Sequence, residues 1–350
     1  MVIDVSIRNY RCIESIKLNV SKVNVFIGKN SSGKSSVMHA LYIFAKVSFG
    51  HDLNDILYNL YGEAPNNVIR SDGNKFFSPI EISVDDSTLI AKLDENGKNL
   101  KIEKKPERIW SDAVLLPSRR VGLFITSNFI SRLLREVAGE EKEAISFFAG
   151  LFKPLQMILE KSPLVPPLSL FIGDYYRTLT GIKEFPKSTI ESSLGRVIMK
   201  ISPLIWLFEY VFRDPFLPNL SKPIESAPEG AIDYMLIRQM VERAERGSLI
   251  VIEEPENNKN PLFQIELINF LVSKTLERDL TLLISTHSEI IPLTLAKLVE
   301  EKIISNEDVR IYYLHRDKEN PWTKVKEIKI YKDGSMDELP DSIEVTIRLF

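Results

Sequence analysis

Hydrophobic and polar positions alternate near the start of the chain, as they do in a half-buried strand. Ile16, Leu18 and Val20 fall on one face, and the apolar run Val23–Ile27 follows directly. From Ser36 to Val47 the apolar residues lie nearly all round a helix, which is typical of a helix buried beneath a sheet. This order predicts a small sheet, then a glycine-containing loop, then a buried helix.

The segment 78–105 is again typical of strands. Asn96-Gly97 predicts a tight hairpin turn between Ser87–Leu93 and Leu100–Ile102, because an Asn-Gly pair readily adopts the positive φ angles that such turns need. A further strand is predicted at Ala113–Leu116, ending at Pro117.

The periodicity becomes helical from about Asn128 to Tyr210, which predicts a helical insertion. Its most apolar part runs from Val197 to Phe212 and is interrupted by charged residues. This part is not a clean membrane span, so we interpret it as a buried helix.

After residue 225, helices alternate with short, fully apolar strands, which is the rhythm of a parallel sheet. The predicted elements are a helix from Ala231 to about Arg246, a strand at Leu249–Ile252, a helix at Pro261–Glu277, and strands at Leu280–Ser285, Val309–Leu314 and Val325–Tyr331. Ligand sites in such sheets lie at the carboxyl ends of the strands.

These elements predict an α/β fold with a mixed, largely parallel core sheet, an N-terminal antiparallel sheet and a helical insertion. We divide the chain into an N-terminal lobe (1–125), the helical insertion (126–225) and a C-terminal lobe (226–350).

Composition narrows the class of protein without assigning a function. The chain has 350 residues, of which 44% are hydrophobic and 27% charged, as in globular proteins with a substantial core. The 45 Lys and Arg nearly balance the 48 Asp and Glu, so the net charge of -3 gives no global reason to expect a nucleic-acid or membrane partner. The one cysteine, Cys12, excludes an internal disulfide, and the N-terminus lacks the apolar core of a signal peptide. We therefore expect a cytoplasmic protein without a membrane partner.

A complete phosphate-binding motif lies between the first predicted sheet and helix. It matches G-x-x-x-x-G-K-[ST], in which the glycines let the backbone wrap closely so that its N–H groups point at phosphates. Lys34 is expected to reach the terminal phosphates, and the Ser35 hydroxyl to bind magnesium. The candidate nucleotide contacts are Gly28, Lys29, Asn30, Ser31, Ser32, Gly33, Lys34, Ser35 and Ser36. The alternative, a chance Gly/Ser-rich turn, is disfavoured by the flanking strand and helix, so ATP and Mg2+ are the predicted cofactors.

Two further signals follow apolar strands in the C-terminal lobe. The strand Leu249–Ile252 delivers Glu253, expected to hold the magnesium shell, and Glu254, expected to orient or deprotonate the attacking water. His287 follows the next apolar strand and is expected to contact the terminal phosphate or that water. Alone, these residues are more simply explained as a solvated acidic loop and a helix-start histidine. Their common place at one sheet edge favours Glu254, His287 and Lys34 as the catalytic residues.

The motifs at 28–35 (Gly-Lys-Asn-Ser-Ser-Gly-Lys-Ser), 252–256 (Ile-Glu-Glu-Pro-Glu) and 285–288 (Ser-Thr-His-Ser) occur here in that order. With Asn9-Tyr10-Arg11 and Pro228-Glu229-Gly230, they resemble the ATP-binding-cassette heads of the SMC, RecF and OLD-like ATPases. The resemblance spans nearly the whole chain and implies a P-loop NTPase fold.

In that family two heads sandwich two ATP molecules, and the partner's signature loop completes each site. The resemblance implies that this loop is Ser226–Gly230, so that Glu229 and Gly230 contact the partner's nucleotide. It also implies that Arg11 lies near the adenine or the phosphates, although a surface arginine after a strand is an equal alternative.

The chain departs from the family pattern at several positions. Lys29 replaces a usual proline, and Glu253 replaces the magnesium-shell aspartate. Glu229 replaces the signature serine, where a carboxylate is expected to repel a γ-phosphate. The glutamine that usually joins the core sheet to the helical part has no counterpart before Gln156, and Asn257–Pro261 stands where His-Leu-His-Pro is common.

Other charged residues have two explanations each. Arg119 and Arg120 either contact the nucleotide or are solvated charges, and the basic segment 98–108 is more simply a solvated hairpin face than a nucleic-acid contact. No metal-site spacing links the remaining histidines, which we interpret as structural: His39, His51 and His315.

Together these features predict ATP binding and hydrolysis by a cassette-type head that forms a homodimer on ATP and drives a conformational switch in DNA or RNA maintenance or in defence. Nucleic acid or a separate effector protein is a further possible partner. The alternative is a nucleotide-gated binding module with little or no hydrolysis. A P-loop kinase or GTPase is disfavoured because we find neither an Asn-Lys-x-Asp guanine motif nor an arginine-rich lid. A transporter subunit is disfavoured by the altered signature and the missing glutamine loop.

Overall fold

Three β-sheets organise the chain in a computed structural model, which describes residues 2–62, 68–122, 124–125, 189–193, 195–201, 208–217 and 219–340. The strands are β1 (Ile3–Tyr10), β2 (Ile13–Val20), β3 (Val23–Ile27), β4 (Ile80–Val84), β5 (Ser87–Leu93), β6 (Leu100–Lys104), β7 (Ala113–Leu116), β8 (Thr189–Ser192), β9 (Gly195–Ile201), β10 (Phe208–Arg213), β11 (Ser221–Pro223), β12 (Leu249–Glu253), β13 (Thr281–Thr286), β14 (Val309–His315) and β15 (Lys324–Ile328). The α-helices are α1 (Lys34–Ser48), α2 (Leu53–Tyr61), α3 (Glu229–Arg243), α4 (Pro261–Arg278) and α5 (Ile290–Glu300).

The central sheet has the order β15-β14-β3-β13-β12-β7, with every pair parallel except β14 and β15. Both of its faces are buried. In β12, Ile250 and Ile252 pack towards α3, α4 and α5, whereas Leu249 and Val251 pack on the opposite face with α1. A strand covered on both faces must be apolar at every position, which explains the unbroken hydrophobic runs. The predicted α/β fold with a mostly parallel core sheet is confirmed.

The register of this sheet aligns the ends of three motif-bearing strands. Ile27, the last residue of β3, pairs with Thr286 of β13, and Ser285 pairs with Glu253 of β12. The segments that follow these strands therefore emerge side by side, although the one after β3 is more than 220 residues from the other two in the chain.

The N-terminal antiparallel sheet has the order β2-β1-β4-β5-β6 and covers α1 and α2. The Asn96-Gly97 hairpin is confirmed, with Gly97 at φ +66° between β5 and β6. Our grouping of Val23–Ile27 with the first small sheet was wrong, because β3 pairs with β13 and β14 in the central sheet.

A third, four-stranded antiparallel sheet (β11-β10-β9-β8) corrects the prediction for part of the insertion. The buried helix that we predicted from Val197 to Phe212 is wrong for the described residues, which form β9 and β10. The run is rich in β-branched and aromatic residues, and hydrophobicity alone does not separate a buried helix from a buried strand. The part of the helical prediction from about Asn128 to residue 188 lies outside the described residues, and the domain boundaries stay a prediction. Among the described helices, none is long and apolar enough to cross a bilayer.

Candidate nucleotide site

The loop from Gly28 to Ser35 is shaped by two glycines that no other residue could replace without strain. Gly28 has φ +139° and Gly33 φ +108°, both in the region that favours glycine. A Cβ at Gly28 would lie 2.1 Å from the carbonyl oxygen of Leu314, and one at Gly33 would lie 2.4 Å from Oγ1 of Thr323. Thr323 also donates a hydrogen bond of 3.0 Å to the carbonyl of Ser32. The β14–β15 hairpin thus packs directly against the phosphate-binding loop.

Arg316, in the same hairpin, donates a 3.0 Å hydrogen bond to the carbonyl of Ser31 and so supports the tip of the phosphate-binding loop.

The candidate nucleotide contacts of this loop divide into exposed and buried residues. The exposed residues are Lys29, Asn30, Ser31 and Ser35. The buried residues are Gly28, Ser32, Gly33, Lys34 and Ser36.

The Lys34 ammonium joins the phosphate-binding loop to the end of β13. Its Nζ donates to the carbonyls of Gly28 (2.7 Å) and Lys29 (3.1 Å) and lies 3.1 Å from Nε2 of His287. Because an ammonium has only donors, Nε2 of His287 is the acceptor of this hydrogen bond. A positively charged group and a polar ring are therefore held together at the mouth of the loop.

Glu254 brings a carboxylate to the same place. Its Oε1 lies 4.0 Å from Nε2 of His287, and its Oε2 accepts a 3.0 Å hydrogen bond from the side-chain amide of Asn257. The backbone N–H of His287 is fixed by the carboxylate of Glu256 at 2.7 Å. Glu254 is half-buried and has φ +45°, an unfavourable conformation for a residue with a Cβ. The structure thus gathers the three predicted catalytic side chains, Lys34, Glu254 and His287.

The side chain of Glu253 contacts other residues than Glu254 does, and it is only 8% exposed. Its Oε1 lies 3.3 Å from Nε2 of His39, and its Oε2 accepts a 3.3 Å hydrogen bond from the backbone N–H of Ser118. Burial raises the pKa of Glu253, but the contacts with His39, with the hydroxyl of Ser35 and with the N–H of Ser118 outweigh burial and lower the pKa to about 2. Glu253 is therefore a carboxylate at neutral pH.

His39 connects Glu253 to the hydroxyl groups of two tyrosines. Its Nδ1 lies 3.0 Å from the hydroxyl of Tyr61, which is 2.5 Å from the hydroxyl of Tyr10. With a proton on Nε2 facing Glu253, Nδ1 accepts from Tyr61 and Tyr61 accepts from Tyr10. We gave His39 only a structural role from the sequence. Its position four residues after Ser35, on the same helix face, was the signal that it could reach the same carboxylate.

The donor set at Ser35 and Glu253 fits magnesium, which prefers oxygen ligands and is commonly bound by one or two protein oxygens together with substrate phosphates. The hydroxyl and the carboxylate contact each other, and the carboxylate is ionised. No cluster of three or more His, Cys, Asp and Glu side chains suited to a metal occurs in the described part of the chain, and a magnesium shell of this kind does not require one.

The remaining candidate contacts are Arg11, Glu229 and Gly230. Arg11 is exposed, and its guanidinium stacks 4.1 Å from the centre of the Tyr61 ring. Glu229 and Gly230 form the first turn of α3, where Glu229 is exposed and Gly230 is buried. Helix α3 begins two residues before our predicted start, so these residues belong to a helix N-terminus rather than to a free loop.

Arg120 is not a solvated charge. It is fully buried, and its guanidinium pairs with Asp233 of α3 and donates to the carbonyl of Glu253. The predicted solvation applies to Arg119, which is exposed. The sequence alone offered no signal for the Arg120–Asp233 pair, which joins residues 113 positions apart.

Comparisons with known proteins agree with this architecture. The family model of an AAA ATPase domain matches residues 1–154. A 52-residue segment is 40% identical to the DNA replication and repair protein RecF of Lysinibacillus sphaericus (strain C3-41), and this match covers 15% of the chain and 14% of that protein.

Two solved structures share the fold at low sequence identity. An SMC head bound to the C-terminal winged-helix domain of ScpA matches with a TM-score of 0.55 and 11% identity, over 94% of this chain and 98% of that one. A Pyrococcus furiosus Smc head with an extended coiled coil, bound to the C-terminal domain of ScpA, matches with a TM-score of 0.52 and 11% identity over 100% of both chains. Residues 1–154 therefore match an AAA ATPase domain, and the chain shares its fold with the two SMC heads.

Proposed function

We propose that this chain binds and hydrolyses ATP and that ATP brings two copies together. The observation that carries the proposal is the convergence of Lys34, His287 and Glu254 beside the phosphate-binding loop, with His287 Nε2 3.1 Å from Lys34 Nζ and 4.0 Å from Glu254 Oε1. A cation for phosphate, a polar ring and a carboxylate suit phosphoryl transfer to water, which needs stabilised phosphate charge and an oriented nucleophile.

Each of these side chains has a role that follows from its chemistry. The Lys34 ammonium and the N–H groups of residues 28–35 would bind the phosphates, exchanging the carbonyl partners that Lys34 now has. The Glu254 carboxylate would orient the attacking water and accept its proton, since Asn257 already fixes one of its oxygens. His287 would contact the terminal phosphate or the same water.

Ser35 and Glu253 would hold the magnesium ion. When bound, magnesium neutralises charge on the nucleotide phosphates. The contribution of the chain is an ionised carboxylate whose two oxygens are positioned by His39 and by the backbone of Ser118.

The ATP-bound form is proposed to be a homodimer in which Glu229 and Gly230 of one copy meet the nucleotide of the other, and hydrolysis releases the pair. The placement of both residues in the first turn of α3 supports this arrangement, because the N–H groups of a helix N-terminus attract phosphate. A change between paired and separate heads would be the conformational switch.

The biological setting is proposed from likeness alone. The RecF protein that shares a 52-residue segment is named for DNA replication and repair, which favours DNA maintenance, while RNA maintenance and defence remain alternatives. Nucleic acid or a separate effector protein would then be the partner on which the switch acts. A cytoplasmic location stays a prediction.

The test is the rate of phosphate release from ATP by purified wild-type chain and by Glu254→Gln. The variant keeps the shape of the side chain and removes the proton acceptor, so turnover should fall by about 10²–10⁴-fold. Glu95→Gln, an exposed glutamate of the β5–β6 turn, is the matched control and should keep the wild-type rate. A robust wild-type rate that Glu254→Gln leaves unchanged would refute the catalytic assignment.

The second candidate is a nucleotide-gated module that pairs on ATP without turnover, and the exposed carboxylate of Glu229 favours it. Light scattering of the wild-type chain with and without ATP and magnesium separates the two. ATP-dependent doubling of the mass without phosphate release supports the module, whereas doubling that is transient in the wild type and lasting in Glu254→Gln supports the hydrolysing switch.

A further inference from the structure

Three charged side chains from three different parts of the chain meet in the interior next to the β12 turn. Arg120 follows β7, Asp233 lies in α3, and Lys259 follows β12. Their exposures are 0%, 1% and 8%, so the charges are removed from water. Buried ionic groups are costly and are weak sources of stability, even when they are paired. Stability therefore does not explain why the cluster is there.

Asp233 is the centre of the cluster. Its carboxylate receives the Arg120 guanidinium at two points, with Nε 2.5 Å from Oδ1 and Nη2 2.7 Å from Oδ2, and it also pairs with the Lys259 ammonium. Burial lowers the pKa of Lys259, and the Asp233 carboxylate opposes this shift. Because two cations share one carboxylate, some N–H groups of Arg120 and Lys259 are available to donate hydrogen bonds to backbone carbonyls.

The first arm of the cluster runs through Arg120 to the backbone of the β12 turn. The guanidinium donates to the carbonyls of Glu253 (2.6 Å) and Glu254 (3.3 Å) and also holds the carbonyl of Pro117 at 2.9 Å. Glu254 has φ +45°, which costs free energy and persists only where neighbouring contacts enforce it. Arg120 supplies such contacts on both sides of the strained residue.

The second arm runs through Lys259 to the Glu254 side chain. Lys259 donates to the carbonyl of Asn257 at 3.1 Å, and the side-chain amide of Asn257 donates to Oε2 of Glu254 at 3.0 Å. Both arms therefore start at Asp233 and end on Glu254, one on its main chain and one on its carboxylate.

We propose that Asp233, with Arg120 and Lys259, forms a buried ionic link that positions Glu254 and ties it to helix α3. Asp233 lies one helical turn after Glu229, the residue through which α3 is proposed to meet a partner copy. A shift of α3 would therefore move the Glu254 turn with it. The three residues are positioning residues, because they act on Glu254 rather than on the nucleotide. The coupling to a partner rests on the proposed function, whereas the positioning does not.

The first test is local hydrogen exchange without nucleotide, which does not depend on any activity. In Asp233→Asn and Arg120→Lys, peptides covering residues 253–259 and the first two turns of α3 should exchange about tenfold faster or more, while peptides of β3 and α1 stay at the wild-type rate. Arg119→Lys, an exposed neighbour, is the matched control and should match the wild type throughout.

The second test separates positioning from folding through turnover and affinity. The link variants should lose about tenfold or more in kcat while the Kd for ATP, measured by calorimetry, stays within about threefold of wild type. A merely structural role would instead lower affinity, turnover and thermal stability together. If the wild type shows no turnover, the proposed function fails and the exchange test alone decides the link.

Lys259→Met keeps the test decisive if the other link variants do not fold. It removes one of the two cations and leaves the opposite charges of Arg120 and Asp233 paired one to one. It cuts only the Asn257 arm, so residues 253–259 should exchange faster while α3 keeps its wild-type rate. Wild-type exchange at residues 253–259 in a folded Asp233→Asn or Lys259→Met variant would overturn the link, as would a parallel loss of affinity and turnover.

Discussion

Acidification should remove a stabilising contribution that comes from Glu253. Its pKa is lowered from 4.5 to about 2 in the folded chain, since the contacts with His39, Ser35 and Ser118 outweigh burial. At ~1.4 kcal/mol per pKa unit this difference amounts to ~3 kcal/mol of unfolding free energy. Because the folded pKa is the lower one, the contribution is complete well above pH 4.5 and is lost as the pH falls from there towards 2. At pH 4, where the unfolded carboxyl is mostly protonated and the folded one is not, ~1 kcal/mol is already gone.

Glu253→Gln isolates this contribution, because an amide does not titrate in this range. Urea unfolding of the wild type and of the variant, at pH 7 and pH 4 without nucleotide or magnesium, gives the loss of unfolding free energy for each. The wild type should lose ~1 kcal/mol more than Glu253→Gln over this interval. Glu95→Gln, which changes an exposed carboxylate, should follow the wild type. Equal losses in the wild type and in Glu253→Gln would show that the contacts of Glu253 do not lower its pKa.

Two further substitutions test the phosphate-binding loop. Lys34→Met removes the buried ammonium and should weaken binding of a fluorescent ATP analogue by about tenfold or more, and wild-type affinity would argue against its phosphate role. Gly28→Ala should lower the unfolding free energy by ~3 kcal/mol in a denaturant titration. Two costs combine here: the positive φ strains the alanine backbone, and the new Cβ would lie 2.1 Å from the carbonyl oxygen of Leu314. Gly73→Ala, with φ +91° and no atom within 4 Å of the added Cβ, should show only the ~1 kcal/mol of backbone strain, and equal losses in the two variants would contradict the packing argument.

The central sheet could be predicted from the sequence because its strands carry an unambiguous pattern. β12 and β13 are short and apolar on both faces, and the helix between them starts at a clear signal, Asn260 followed by Pro261. The capping geometry agrees, since the Asn260 side chain accepts the N–H of Phe263 at 2.9 Å. Local sequence and tertiary environment favour the same structure here.

The strands β9 and β10 could not be predicted in the same way. The other two strands of their sheet, β8 and β11, are only four and three residues long. Such short strands show little alternation of hydrophobic and polar residues along the chain. What makes them strands is pairing with each other and packing on α3, as Phe212 shows by joining the core that contains Ile232 and Tyr234. Such pairing is a tertiary fact that hydrophobicity in a window does not contain.

The candidate site likewise has a part that could be predicted from the sequence and a part that could not. Lys34, Glu254 and His287 could be placed together because each follows a strand of one parallel sheet, and parallel strands end at one edge. The contacts that hold Glu253 and Glu254 in place could not, because they depend on side chains that cross between elements. Arg120 and Asp233 are 113 residues apart and read separately as ordinary charges.

The glutamate at 253 bears on the choice between a hydrolysing head and a binding module. A glutamate side chain is one methylene longer than aspartate and has one more rotatable bond, so unrestrained it would place its carboxylate imprecisely. Here one oxygen faces His39 and the other accepts the N–H of Ser118, and together these contacts fix both ends of the carboxylate. His39 is itself held by Tyr61, so the longer side chain comes with its own support. The departure at 253 is therefore accommodated within the site and does not argue against hydrolysis. The departure at Glu229 has no such support, because that side chain is exposed at the start of α3. If turnover is low, we expect the structural reason at the proposed contact between two copies rather than at the proposed magnesium site.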